Sequence, residues 1–199
     1  LAEIHHRVKN NLAVISGLLQ MQMWNLEDES AKIALQHSQL RIQSIALVHE
    51  KLYQNETFAN INISDFAREL VDAVSDAFKQ PEQDIKLNYR MDDIKMNVNQ
   101  AVPLSLLLNE CIVNCYKHAF KNSDAGEINI ELDTIGKKVQ IKVADNGHGL
   151  PESFDFENQQ TLGVTLIRTP VSQLRGEANY TSNGHGTRFS FEFELEEVA

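Results

Sequence analysis

Asn109-Glu110-Cys111-Ile112-Val113-Asn114-Cys115-Tyr116-Lys117-His118 sets four polar side chains at helical spacing within an apolar run. Glu110, Asn114, Lys117 and His118 are four, three and one residues apart, so they share one face of a helix. Leu106, Leu107, Leu108, Ile112 and Val113 largely cover the other side. The spacing predicts a helix over about 99–120, with Pro103 tolerated in its first turn. Such a helix rests on a core and turns a polar edge outward. Magnesium prefers oxygen ligands and keeps waters, so Asn114 and Glu110 can hold it directly or through water. Lys117 supplies a point charge for phosphate. A solvated face of i,i+3 and i,i+4 pairs also accounts for the spacing.

Downstream, Glu127–Ile135 alternates, Gly136 turns the chain and Lys138–Val143 alternates again, the pattern of a hairpin. Asp145-Asn146-Gly147-His148-Gly149-Leu150 follows. Asp145 at a strand end can accept a hydrogen bond from an exocyclic amine, and Gly147 and Gly149 let a ligand ring approach the backbone. The same residues also read as an ordinary turn. Leu162-Gly163-Val164 opens a helix to about Leu174, where free N–H groups favour phosphate. A last hairpin joins Glu177–Ser182 to Thr187–Leu195 through Asn183-Gly184-His185-Gly186. Upstream, Ser64 is expected to cap a helix to about Lys79, Pro81 ends it, and Ile85–Met91 alternates as a strand. Antiparallel strands with interspersed helices predict a two-layer α/β sandwich.

Residues 1 to about 54 are helical and nearly free of breakers. Leu1, Ile4, Val8, Leu12, Ile15 and Leu19 recur at steps of three and four, a narrow apolar seam. Asn25–Ser30 is a polar break, and Ser30 is positioned to cap a second helix through Ile33, Leu40, Ile45, Leu47, Val48 and Leu52. The pair forms an antiparallel helical hairpin, which cannot bury both faces alone; dimerisation into a four-helix bundle solves this. His5 falls at the edge of the seam, whereas His6 points away from it. An exposed imidazole on a rigid helix can act as a nucleophile, with Arg7 and Lys9 attracting a phosphoryl donor and Glu3 near the ring. A solvated surface histidine is the plainer reading. Asn55–Asn60 reads as a polar linker.

The 199 residues include 28 acidic and 18 basic side chains, a formal net charge of −10. That balance opposes general nucleic-acid binding. The longest uncharged stretch, Asn10–Leu26, is too polar to span a membrane, so no membrane contact is expected of this segment. Cys111 and Cys115 read as buried thiols, which suits a reducing, cytoplasmic compartment. The helical pattern is already running at Leu1, so a fragment of a longer membrane-attached or soluble protein is expected.

In order, E-x-x-x-N-x-x-K-H (110–118), D-N-G-x-G (145–149), L-G-V (162–164) and G-x-G-T (184–187) resemble the nucleotide-binding boxes of the GHKL ATPase superfamily. E-I-H-H-R-V-K-N-N-L (3–12) resembles the phosphoacceptor helix of a histidine-kinase subgroup related to the HWE kinases, which reads H-R-x-K-N. The resemblance runs from Leu1 to about Leu195. It implies a dimerisation and phosphotransfer hairpin over 1–55 and an ATP-binding domain over 60–197. His6 matches the phosphoacceptor, Asn114 the Mg²⁺ ligand and Glu110 the acidic position that orients water or acts as a base. Lys117 matches the phosphate lysine, His118 the residue beside the nucleotide and Asp145 the adenine-recognising aspartate. Gly147, Gly149 and Gly163 match the glycine boxes, and Thr187 the terminal threonine near the base.

The loop at 161–166 keeps only Gly163 of the glycines common there, so its phosphate contacts are in question. Phe154 and Phe156 read either as a remnant of a family motif or as packing residues, and Arg168 either as packing or as a phosphate contact. The resemblance implies ATP and Mg²⁺ as cofactors, a response-regulator receiver domain as partner and a homodimer through 1–55. The alternatives are an ATP-binding scaffold without turnover and a GHKL serine kinase of the anti-sigma type.

Overall fold

The computed structural model describes residues 2–54, 61–80, 82–121, 123, 125–151, 154, 156, 158 and 162–196. Helices α1 (Ala2–Trp24) and α2 (Glu29–Gln54) form the expected antiparallel hairpin. Asp28, not Ser30, caps α2: its Oδ1 accepts from the backbone N–H of Ser30 at 2.8 Å and of Ala31 at 3.3 Å. A carboxylate at a helix start satisfies free donors and also complements the positive end of the helix dipole. The Asn55–Asn60 linker lies outside the described residues.

Strand β1 (Ile61–Asn62) leads into α3 (Ile63–Phe78). The cap of α3 is Asn62, whose side chain accepts from Asp65 N, and not Ser64. Ser64 instead donates its hydroxyl to Asn62 Oδ1 at 2.7 Å. Strands β2 (Asp84–Met91) and β3 (Lys95–Met96) precede α4 (Val98–Asn114). Asn97 caps α4 and starts it at Val98, so Pro103 sits in the second turn rather than the first. A π-helical turn, Cys115–Ala119, completes the long helix, with Phe120 N–H bonded to the Cys115 carbonyl at 3.0 Å. Strands β4 (Ala125–Ile135) and β5 (Lys138–Asp145), helix α5 (Leu162–Gln173), and strands β6 (Glu177–Ser182) and β7 (Thr187–Glu194) follow.

The main sheet runs β2-β4-β5-β7-β6, while β1 and β3 make a separate two-stranded ribbon. Only part of the expected antiparallel pattern holds, because β2 pairs with β4 in parallel. The intervening α4 supplies the crossover that a parallel pair requires. One face of the sheet is apolar at every second residue: Ile128, Ile130 and Leu132 on β4, Val139, Ile141 and Val143 on β5, Phe191 and Phe193 on β7. Helices α3 and α4 bring Phe66, Leu70, Leu104, Leu108 and Ile112 to the same core. The result is the expected two-layer sandwich.

The hairpin is joined to this sandwich along one stripe of α2. His37, Arg41, Ser44 and Val48 recur at steps of four, three and four, hence on one face. Val48 is fully buried in the sandwich core. His37 stacks edge-on against Phe78 of α3 at 5.0 Å.

Candidate nucleotide site

A cavity of about 910 Å³ opens between α2, the end of α4, the strand end at Asp145 and the start of α5. Glu110, Asn114, Lys117, His118, Asp145, Gly149, Gly163 and Thr187 all line it. Residues far apart in sequence thus converge on one cavity. Two expected residues stand apart. Gly147 does not line the cavity, and the His6 side chain lies outside the described residues; only its place in α1 is defined.

Asp145 is fixed by the backbone around it. Its Oδ1 accepts from Gly147 N at 3.0 Å and from Thr187 N at 3.2 Å. Its Oδ2 receives the Cys115 thiol at 3.8 Å. Burial raises the carboxyl pKa above its ordinary value, and the two backbone N–H donors pull it back. A half-buried carboxylate held in one orientation is a suitable acceptor for an amine on a flat ring.

The glycines divide by role. A Cβ on Gly147 would lie 2.3 Å from the Ala119 carbonyl oxygen, so that glycine serves the close approach of the loop to the π turn, not of a ligand. Gly149 has φ of +73°, and a Cβ there would lie 2.7 Å from Ser182 Oγ; protein packing again explains it. Nothing stands within 4 Å of a Cβ on Gly163, which sits in the first turn of α5 on the cavity wall. That helix start is open to an anion.

Lys117 and His118 are exposed, whereas Cys115 and Tyr116 before them are buried. The π turn makes this division, and π turns recur at functional sites. Partial burial and the charges of Lys117 and Lys121 lower the His118 pKa, favouring a neutral ring. The Asn114 carboxamide lines the cavity and bonds to no other described residue. No group of three or more His, Cys, Asp or Glu among the described residues can hold a metal, so an ion here would need ligand oxygens from elsewhere. Magnesium bound through one side chain and substrate phosphates meets that condition.

The contacts of α2 with this site were not read from sequence. Glu110 is buried and held by Arg41 of α2, with Nε donating to Oε1 at 2.5 Å and an Nη to Oε2 at 3.0 Å. Beside it, Asn109 donates to Ser44 Oγ at 2.8 Å. His37, on the same stripe, has its pKa lowered to about 4, first by burial and then by Lys117, Arg41 and His118. Across the cavity, Phe154 and Phe156 pack on Tyr180, and Phe156 also meets Phe189. The Arg168 guanidinium lies over the Phe156 ring and donates to its carbonyl. Arg168 thus packs against Phe156, while Phe154 and Phe156 both pack on Tyr180 and line the cavity.

Comparison with known proteins agrees with this geometry. Residues 3–78 match the family described as histidine kinase, and residues 99–197 the histidine kinase-, DNA gyrase B- and HSP90-like ATPase family. A sensor histidine kinase, PdtaS of Mycobacterium tuberculosis, is 31% identical over 171 residues, covering 85% of this chain and 34% of the relative. Blue-light-activated histidine kinase 2 of Erythrobacter litoralis is 27% identical over 188 residues, covering 91% of this chain and 53% of that one. The chain thus spans about a third to a half of the length of these relatives. The solved histidine kinase domain of the Erythrobacter litoralis EL346 blue-light kinase superposes with a TM-score of 0.73 at 25% identity, covering 98% of this chain and 90% of that one. The serine-protein kinase RsbW of Listeria monocytogenes is 40% identical over 73 residues, 36% of this chain and 44% of its own.

Proposed function

The chain belongs to the histidine kinase family, and on that premise we propose that it is the catalytic core of a two-component sensor kinase. Its reaction is transfer of the γ-phosphoryl group of ATP to a ring nitrogen of His6. A bond forms between that nitrogen and the γ-phosphorus, the bond to the β,γ-bridging oxygen breaks, ADP leaves and the imidazole gives up its proton. The phosphoryl group then passes to an aspartate of a response-regulator receiver domain. The observation carrying this reading is the gathering of Asp145, Asn114, Lys117, Gly163 and Thr187 on one cavity, in a chain whose first helix holds His6.

Within the site, Asp145 binds the adenine amine and Thr187 flanks the base. Lys117 and the start of α5 at Gly163 take the phosphates, with His118 beside them. Asn114 holds Mg²⁺, which when bound neutralises phosphate charge as it shifts toward the leaving oxygen. Glu110 is the acidic group that orients water or accepts a proton once its carboxylate is released from Arg41. The residues mainly position and neutralise, as phosphoryl transfer requires.

A homodimer through 1–55 completes the picture. Val14, Leu18 and Met21 form an apolar stripe on α1 and are 63%, 57% and 57% exposed. A second copy covers such a stripe in a four-helix bundle. A cytoplasmic setting suits the free, buried thiols of Cys111 and Cys115, and no described helix is long and apolar enough to cross a membrane.

The test is incubation with γ-labelled ATP and Mg²⁺. Label that is acid-labile and base-stable supports the proposal. Acid-stable label on a partner protein favours the serine kinase reading, and ATP binding without label favours a scaffold. The serine kinase similarity is too short to take in both the hairpin and the ATPase unit.

A further inference from the structure

We infer that Arg41 and Ser44 of α2 form a latch that holds this kinase in a resting state, by occupying Glu110 and keeping the nucleotide cavity away from His6. The inference rests on the function proposed above.

The first observation is chemical. Arg41 binds Glu110 through both carboxylate oxygens, and Glu110 is 3% exposed. A carboxylate so engaged can neither take a proton from an imidazole nor orient a water. Its neighbour Asn109 is held by Ser44 in a fully buried hydrogen bond. Two adjacent residues of α4 are therefore tied to two residues one turn apart on α2. Lys51–Glu69 at 2.5 Å and Gln36 to the Ala77 carbonyl at 3.2 Å extend the junction along α2 toward α3.

The second observation is positional. On α2 the cavity is lined from Ser30 to Arg41, the end near the hairpin turn. Lys9 of α1 pairs with Glu50 of α2 at 3.0 Å, which fixes the register of the antiparallel helices. Nine residues separate Arg41 from Glu50, and His6 lies three residues further toward the open end. At about 1.5 Å per residue, His6 stands about 18 Å along the hairpin from Arg41. Reacting atoms must come to about 3–3.5 Å. A second copy related by a two-fold along the bundle places its own His6 at the same height, so dimerisation does not close the gap. Transfer requires the ATPase sandwich to leave this seat, and the Arg41–Glu110 and Ser44–Asn109 contacts must then break.

The latch is tested in the full chain with two variants. Arg41→Gln leaves Glu110 without its cation in the closed seat and shifts the population toward the open form. Labelling of His6 is expected to speed up by about threefold or more, and the distance between spin labels at Gln43 and Ile135 to lengthen. Ser44→Cys/Asn109→Cys, oxidised, pins the seat shut. Labelling is expected to be lost and to return on reduction, with ATP binding unchanged.

Labelling of the oxidised cross-linked protein at the parent rate overturns the latch. So does an Arg41→Gln protein with the parent's label distance. Absence of label from every protein, with the distance shift intact, overturns instead the kinase reading on which the inference rests.

Discussion

At Asp145 a single carboxylate oxygen takes two backbone N–H donors, so the side chain reaches the cavity already oriented. Binding then costs little reorganisation. Asp145→Asn keeps the shape but puts an NH₂ group where an acceptor is needed. It is expected to weaken ATP binding at least about tenfold, roughly 1.4 kcal/mol, by calorimetry, with folding retained. The glycines give a paired prediction. Gly147→Ala drives a methyl into the Ala119 carbonyl and is expected to cost on the order of 1–3 kcal/mol in denaturant unfolding. Gly163→Ala meets open space in a helix, so stability is held or slightly raised while ATP affinity falls. Equal destabilisation by both substitutions would contradict the division of roles drawn here.

Helix α2 carries the junction between the two units, and His37 makes that junction sensitive to pH. Its pKa, about 4 where packed, lies below the ordinary 6.5, so the unfolded chain binds more protons between those values. Stability therefore rises with pH through that window and is lost as pH falls. Between pH 7 and 4.5 the loss is expected to be on the order of 1–3 kcal/mol, and His37→Phe should flatten this part of the profile in thermal unfolding. At the turn before α2, Asp28→Ala should cost about 1 kcal/mol through the lost cap.

Elements were legible where pattern is local. The alternation of β4 and β5 follows from side-chain period alone. The outward polar edge expected of the long helix holds only at its end: Glu110 is buried against Arg41, and Lys117 and His118 emerge from the π turn beyond α4. Caps were misassigned at Ser30 and Ser64 because Asp28 and Asn62, close before them, compete for the same free N–H groups. The parallel β2–β4 pair was missed because period-2 alternation does not encode strand direction. Arg41, on α2, was silent in the sequence: its partner Glu110 lies 69 residues away, and only the packing of α2 on α4 brings them together.

The whole molecule is a helical hairpin seated on an ATP-binding sandwich, with the nucleotide cavity partly walled by the hairpin. The exposed stripe Val14, Leu18 and Met21 belongs to this scale, since the homodimer proposed above is what would cover it. Leu18→Lys is expected to turn a dimer into a monomer by light scattering while leaving ATP affinity unchanged. A parent that is already monomeric at working concentration contradicts that interface.

The central claim is phosphoryl transfer to His6, and the most direct test is acid-labile labelling of the parent chain beside His6→Gln and His5→Gln. The account predicts label in the parent and in His5→Gln, and none in His6→Gln. Undiminished label in His6→Gln would contradict it.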